Sequence, residues 1–192
     1  TATPYLLCLM AGIPSTGVAQ NQTFPTKPVR MLVGFTPGGT SDVVARIISR
    51  KLTDAWGQQF VVDNRAGAAG MLAVELTARA APDGHTLIFI SSTFSMQPAS
   101  TPRLPYDPLR DFAPIGFLSA YPFVLLVRAD LPINTLADLV QQARNRPGQF
   151  SYGSAGQGSL THLTMELFKQ QVQGHLLHVP YRGIAPAFTD LI

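Results

Sequence analysis

Twice along this chain a short apolar strand runs into a glycine turn and then straight into a helix, an order that calls for α/β layering. The first copy occupies residues 29–46, VRMLVGFTPGGTSDVVAR. Residues 31–35 read as a buried strand, and Pro37-Gly38-Gly39 turns sharply because adjacent glycines permit positive φ and leave backbone N–H groups uncovered. Thr40 or Ser41 is expected to cap the helix that follows. Its apolar stripe is predicted at Val43, Val44, Ile47, Ile48 and Leu52, with Arg46, Arg50 and Lys51 left for solvent. Unpaired amides and the helix dipole make such an N-terminus a weak anion site, worth roughly 0.3–1 kcal/mol from the dipole alone. The turn lacks the Lys-Ser/Thr of a phosphate P-loop and the third glycine of a dinucleotide fingerprint. A carboxylate-like ligand and a purely structural turn both fit it.

The second copy begins at Phe150-Ser151-Tyr152, turns through Gly153-Ser154-Ala155-Gly156-Gln157-Gly158-Ser159, and continues as a helix over 160–171. Leu163, Leu167 and Phe168 mark its expected apolar side. Turns of this kind are common in α/β folds, but one in each half of a chain is what a ligand held between two domains requires. His162 falls in the first turn of this helix, placed either to donate to a bound anion or to pair with a nearby carbonyl. Asp42 holds the similar place in the first helix. Its charge suits the dipole and would repel a close anion, so it could instead hold a water or accept a ligand amine or hydroxyl.

The intervening sequence continues the alternation. A strand at 60–62, a small-residue turn at 66–70, a helix at 71–80, a turn at Pro82-Asp83-Gly84 and a strand at 86–90 complete a strand-helix-strand-helix-strand run. Prolines at 98, 102, 105 and 108 predict an extended loop over 98–108. Strands are expected at 113–118 and 123–128, flanking Tyr121-Pro122, where the chain crosses from a first domain (20–121) into a second (122–192). Asn134 or Thr135 should cap a helix over 136–144 that Pro147-Gly148 ends.

Apolar content of 46% with only 13% charged residues describes a globular chain, and a net charge of +3 without a basic cluster interleaved with aromatics argues against nucleic acid. The first 26 residues carry no charge, and residues 5–13 form a short apolar run followed by Pro14, Ser15, Thr16 and Gly17. Residues 1–19 therefore read as a secretory signal peptide cleaved after Ala19, too short to span a membrane. It has neither a starting Met nor a basic leader, which places the natural start upstream of Thr1. A buried N-terminal strand is the alternative. Cys8 is the one cysteine and would leave with the signal, so the mature chain offers no disulfide, cysteine nucleophile or thiolate metal site.

Several blocks in order carry a resemblance: Phe24-Pro25-Thr26-Lys27-Pro28-Val29-Arg30, Phe35-Thr36-Pro37-Gly38-Gly39-Thr40-Ser41-Asp42, Val62-Asp63-Asn64-Arg65, Ala81-Pro82-Asp83-Gly84-His85-Thr86-Leu87, Leu104-Pro105-Tyr106-Asp107-Pro108, Asp111-Phe112-Ala113-Pro114-Ile115 and His178-Val179-Pro180-Tyr181-Arg182-Gly183. From Phe24 to its end the chain resembles the Bug-type extracytoplasmic solute receptors, the periplasmic binding proteins of tripartite tricarboxylate transporters. The resemblance implies a two-domain α/β architecture of the periplasmic-binding-protein type II kind. It also implies a small carboxylated organic acid as ligand, membrane transporter subunits as partners, a periplasmic location, and neither catalytic residues, cofactor nor metal. Two loops acting as pincers on a carboxylate would map here onto Phe35, Gly38, Gly39, Ser41 and Asp42, and onto Ser154, Ala155, Gly156, Ser159, Thr161 and His162. Ser92, Thr93 and Tyr181 would serve the distal part of the ligand.

Two departures stand out. Family members show Pro and a further Gly after Asn64-Arg65, where this chain has Ala66 and Ala69, so no ligand contact is assigned there. They also continue well beyond Pro186-Ala187-Phe188-Thr189-Asp190-Leu191, so the sequence is expected to be a fragment or truncated product with an incomplete second domain. Two other classes compete. A doubly wound α/β enzyme acting on a phosphorylated or carboxylated small molecule would need an acid/base or nucleophile set, yet neither a G-x-S-x-G elbow nor H-E-x-x-H spacing occurs. An effector-sensing module would carry no export signal.

Overall fold

The computed structural model describes residues 23–192. The expected signal peptide over 1–19 and Cys8 lie outside the described residues. The first sheet is built on β1 (Val29–Val33), whose side chains at Val29, Leu32 and Val33 are fully buried. Parallel neighbours flank it, β2 (Phe60–Asn64) on one side and β3 (Thr86–Phe89) on the other, with Met31 opposite Val62 and Leu87. A parallel pair needs a crossover. The helices α1 (Thr40–Trp56) and α2 (Met71–Ala78) supply them, the second entered through a short 3₁₀ turn at Ala68–Gly70. Met31, Val33 and Ala45 form the centre of the core, with Ile48, Leu52, Val62, Leu87 and Phe89 packed around them.

The strand ends at Val33, two residues earlier than the apolar run predicts. Gly34 leaves the ladder because it rides on the backbone of Gly70, where a Cβ at Gly34 would lie 2.6 Å from the Gly70 Cα. Asn64 then takes the carbonyl that the ladder no longer uses, its Nδ2 donating to Phe35 O at 3.0 Å. The buried stripe of α1 also differs from expectation. Ser41, Asp42, Ala45 and Ser49 are buried with Ile48 and Leu52 beside them, whereas Val43 and Ile47 are 48% and 59% exposed. Small residues on the inner face let α1 sit close to β1, and the Ser49 hydroxyl reaches Met31 Sδ at 3.4 Å.

The helix α3 (Thr93–Ser100) runs through Pro98, so the loop begins at Thr101, three residues beyond the predicted proline. Residues after it fold back: Tyr106 and Phe112 pack on Phe94 with ring centroids 5.5–6.0 Å apart, and the Tyr106 hydroxyl donates to Gln97 Oε1. The strands expected at 113–118 and 123–128 do not form. Among the described residues no strand pairs with them, and Ile115, Phe117 and Val124 stand 82%, 85% and 73% exposed. Apolar composition alone does not make a strand when its N–H and C=O groups find no ladder partner.

The remaining elements repeat the strand-helix-strand plan on a smaller scale. After α4 (Leu136–Asn145) come β4 (Ser151–Ser154), α5 (Leu160–Val172), β5 (Leu177–Pro180) and α6 (Ile184–Leu191). The two strands pair in parallel, Ser151 opposite Leu177 and Ser154 opposite Pro180. Thr135 caps α4 as predicted, in a reciprocal box with Asp138. On α5 the expected apolar side holds at Leu163 and Phe168, but Leu167 is exposed and His162 is buried instead.

Candidate functional site

The first junction turns through Gly38, at φ +82°, into Gly39, the residue that precedes the first turn of α1. Neither Thr40 nor Ser41 caps the helix. Gly39 stands at the cap with no side-chain acceptor, and among the described residues no protein acceptor meets the amides of Thr40 and Ser41. Asp42 serves the turn from within. Its carboxylate accepts from Gly38 N–H at 2.9 Å, from Asn64 Nδ2 at 2.9 Å and from the Arg46 guanidinium at 2.9–3.0 Å. Burial acts to raise the Asp42 pKa, and the Arg46, Gly38 and Asn64 bonds together outweigh it, leaving the carboxyl below the usual carboxylate range. With its oxygens thus occupied and only 3% exposure, Asp42 fixes the turn and does not face outward.

The second junction is organised differently, because its own side chains consume most of its amides. Ser159 Oγ accepts from His162 N–H, Thr161 Oγ1 from Ala155 N–H at 3.0 Å, and Ser154 Oγ from Gly156 N–H at 3.1 Å. His162 is placed as neither sequence reading has it: Nδ1 accepts from Gly158 N–H at 3.2 Å, and the buried ring stacks on His178 at 4.0 Å. His178 in turn lies 2.7 Å by Nε2 from Ser154 Oγ and stacks on Tyr152 at 4.9 Å. Burial and the adjacent His162 hold the His178 pKa below its ordinary value. Burial and the Glu166 carboxylate, which accepts from the phenol and from Lys169, push that of Tyr152 up. Ser154 and His178 have the spacing of a nucleophile and its base, but Ser154 is 0% exposed and its oxygen already serves Gly156.

Contacts between residues far apart in sequence bring the two junctions to one region. The Thr36 N–H donates to Arg182 O at 3.4 Å, and Gly38 and Gly39 face Ala185 and Ile184 at the start of α6. Thr93 is buried, and its hydroxyl accepts from Leu160 N–H, the first amide of α5, at 3.1 Å. Phe35 is half-buried beside Gly70, Ser92 is exposed at the start of α3, and Ser41 is buried. Tyr181 donates its hydroxyl to Asp190 at 2.7 Å and its N–H to Ser154 O at 3.1 Å, which ties β4 to the chain after β5.

Three features escape sequence reading. The turn at Ala68 and Ala69, both at positive φ (47° and 53°), faces Gly156, where an added Cβ would lie 3.9 Å from Ala69. Gly183 presses on Thr36 so closely that a Cβ there would collide with Thr36 Oγ1, itself buried without a hydrogen-bond partner. His178 supports the second junction from β5. Only the glycines flanking the alanine pair hint at the first of these, and no spacing signals the other two. Surface hollows beside α4 and along β1 and β2 do not lie between the junctions.

Parallel strands and helical crossovers make this an α/β fold, and the solved structures it superposes on include the periplasmic binding protein BugD, with a TM-score of 0.78 at 32% identity over 88% of this chain and 56% of that one. Residues 44–192 match the family described as the tripartite tricarboxylate transporter family receptor, and the chain belongs to that family. BugT of Bordetella pertussis is 38% identical over 172 residues, 88% of this chain and 53% of BugT. A protein of R. palustris solved with adipate superposes with a TM-score of 0.83 at 39% identity, covering 88% of this chain and 56% of that one. MatC from Rhodopseudomonas palustris with bound malate gives 0.78 at 32% identity, over 88% and 57% of the two chains. The chain spans about half the length of the curated relatives it matches. The family and these neighbours are receptors and binding proteins, which sets the enzyme alternative aside.

Proposed function

We propose that this chain carries the ligand-gripping part of a periplasmic receptor that takes a small carboxylated organic acid and hands it to the membrane subunits of a tripartite tricarboxylate-type transporter. The family supports the receptor role, and adipate and malate in neighbouring structures support a carboxylate. The observation that carries the reading is the Gly39 cap, since the Thr40 and Ser41 amides at the positive end of α1 keep their donors unspent. In this reading Phe35, Gly38, Gly39 and Ser41 form the gripping side, with Asp42 locking the turn behind them. Ala155, Gly156 and Thr161 form the opposing wall, held in shape by Ser154, Ser159 and His162. Ser92, Thr93 and Tyr181 border the distal end. Residues 20–121 and 122–192 are the two lobes in this proposal, and residues 1–19 export the chain.

A thermal-shift screen of the chain against adipate, malate and other organic acids tests the reading. A ligand present at 100 times its Kd adds about 2.7 kcal/mol of stability, so a binder raises the melting temperature in a dose-dependent way. Flat melting curves across the carboxylate set would overturn it.

A further inference from the structure

We propose that Thr93 is a positioning residue, a neutral latch that joins the first half of the chain to the start of α5 and so sets the spacing between the two junctions. The proposal deepens the carboxylate-receptor reading and rests on it for its functional consequence. Thr93 and Leu160 are 67 positions apart in sequence, and their hydrogen bond is the side-chain contact through which α3 holds the second junction. The hydroxyl belongs to a polar pair on one buried face of α3. One turn along, Gln97 is equally buried, accepts from the Tyr106 hydroxyl and donates from Nε2 to Ala69 O at 3.4 Å. Thus α3 reaches α5 with one side chain and the Ala69 turn with the other, and that turn faces Gly156 of the second junction.

Two buried polar side chains at i and i+4 would be costly without partners, and each has found one on a different wall of the site. The acceptor Thr93 supplies is uncharged. It fills the first amide of α5 without neutralising the helix dipole, so a carboxylate arriving at the wall still meets the positive helix end, with the Thr161 amide next in line. The latch therefore decides which α5 donor a ligand can use.

Hydrogen exchange at the Leu160 amide, read by NMR on the whole chain, tests the latch directly, alongside adipate titration. Thr93→Val keeps the shape and removes the acceptor. It should speed Leu160 exchange by about two- to tenfold, the range expected for one lost hydrogen bond, and shift the adipate Kd. Thr93→Ser should restore both. Thr93→Ala carries the same expectation as the valine variant should the latter fail to fold. Unchanged Leu160 exchange in Thr93→Val, or valine and serine variants that behave alike, would overturn the proposal. Absence of binding across the whole carboxylate set in the parent chain would overturn the carboxylate reading instead, and Leu160 exchange would still decide the latch.

Discussion

Asp42 shows how one buried side chain can hold a glycine turn from within. Its carboxylate gathers a backbone amide, an amide side chain and a guanidinium, so Asp42→Asn removes one charge-assisted partner and forces the others to rearrange. The expected loss is about 1–3 kcal/mol at pH 7, read from urea melts. The pH dependence has a definite sign. The folded-state pKa of Asp42 is lowered, so its contribution is present above the unfolded carboxylate value of about 3.9 and is lost as pH falls through the folded value. The stability gap between parent and Asp42→Asn should therefore narrow on going from pH 7 to pH 3. A gap that stays constant would show that charge plays no part. Ala69 offers the opposite case. At φ 53° it sits in the left-handed region that costs an L-residue roughly 1–2 kcal/mol, part of which glycine recovers at its own entropic cost. Ala69→Gly should stabilise the chain by about 0.5–1 kcal/mol, measured as a shift of the urea midpoint at constant m.

Among the elements, local signals were legible where a residue and its partner lie within one turn. Thr135 and Asp138 make the capping box that begins α4, and Thr135→Ala should cost about 1 kcal/mol, measurable as a lowered thermal midpoint. The strand-turn-helix order, the parallel strands and the helix at α5 followed from apolar runs and glycine placement. What failed were decisions made by distant neighbours. Val43 and Ile47 fit a buried stripe by spacing, but Asp42, bonded to Asn64, takes a place on the inner face of α1 while they stand exposed. Residues 113–128 have strand composition, yet their fate depends on a ladder partner that no local pattern specifies. The second junction likewise reads as an open amide cradle until Thr161, Ser154 and His162 are seen to fill it.

For the molecule as a whole, the two junctions can cooperate only if the segments that carry them are mechanically coupled. The tightest such coupling is Thr36 against Gly183, residues from the first turn and from the entrance to α6. Gly183 has φ 162°, an extended conformation open to any residue, so glycine is required there by space and not by backbone strain. In Gly183→Ala the added methyl meets Thr36 Oγ1 and lies 3.0 Å from the Thr36 nitrogen, and one of the two segments must move. Overpacking of this kind costs about 1–3 kcal/mol. Thr36→Ala alone removes a buried hydroxyl that has no partner, so it should be close to neutral. The double variant opens room for the methyl, and its loss should be smaller than the sum of the two single losses, since residues in contact couple by about 0.5–3 kcal/mol. A thermodynamic cycle from denaturant melts measures that coupling. Strictly additive effects would mean that the first turn and α6 are not in contact in solution, and the Thr93–Leu160 latch would then be left to couple the junctions.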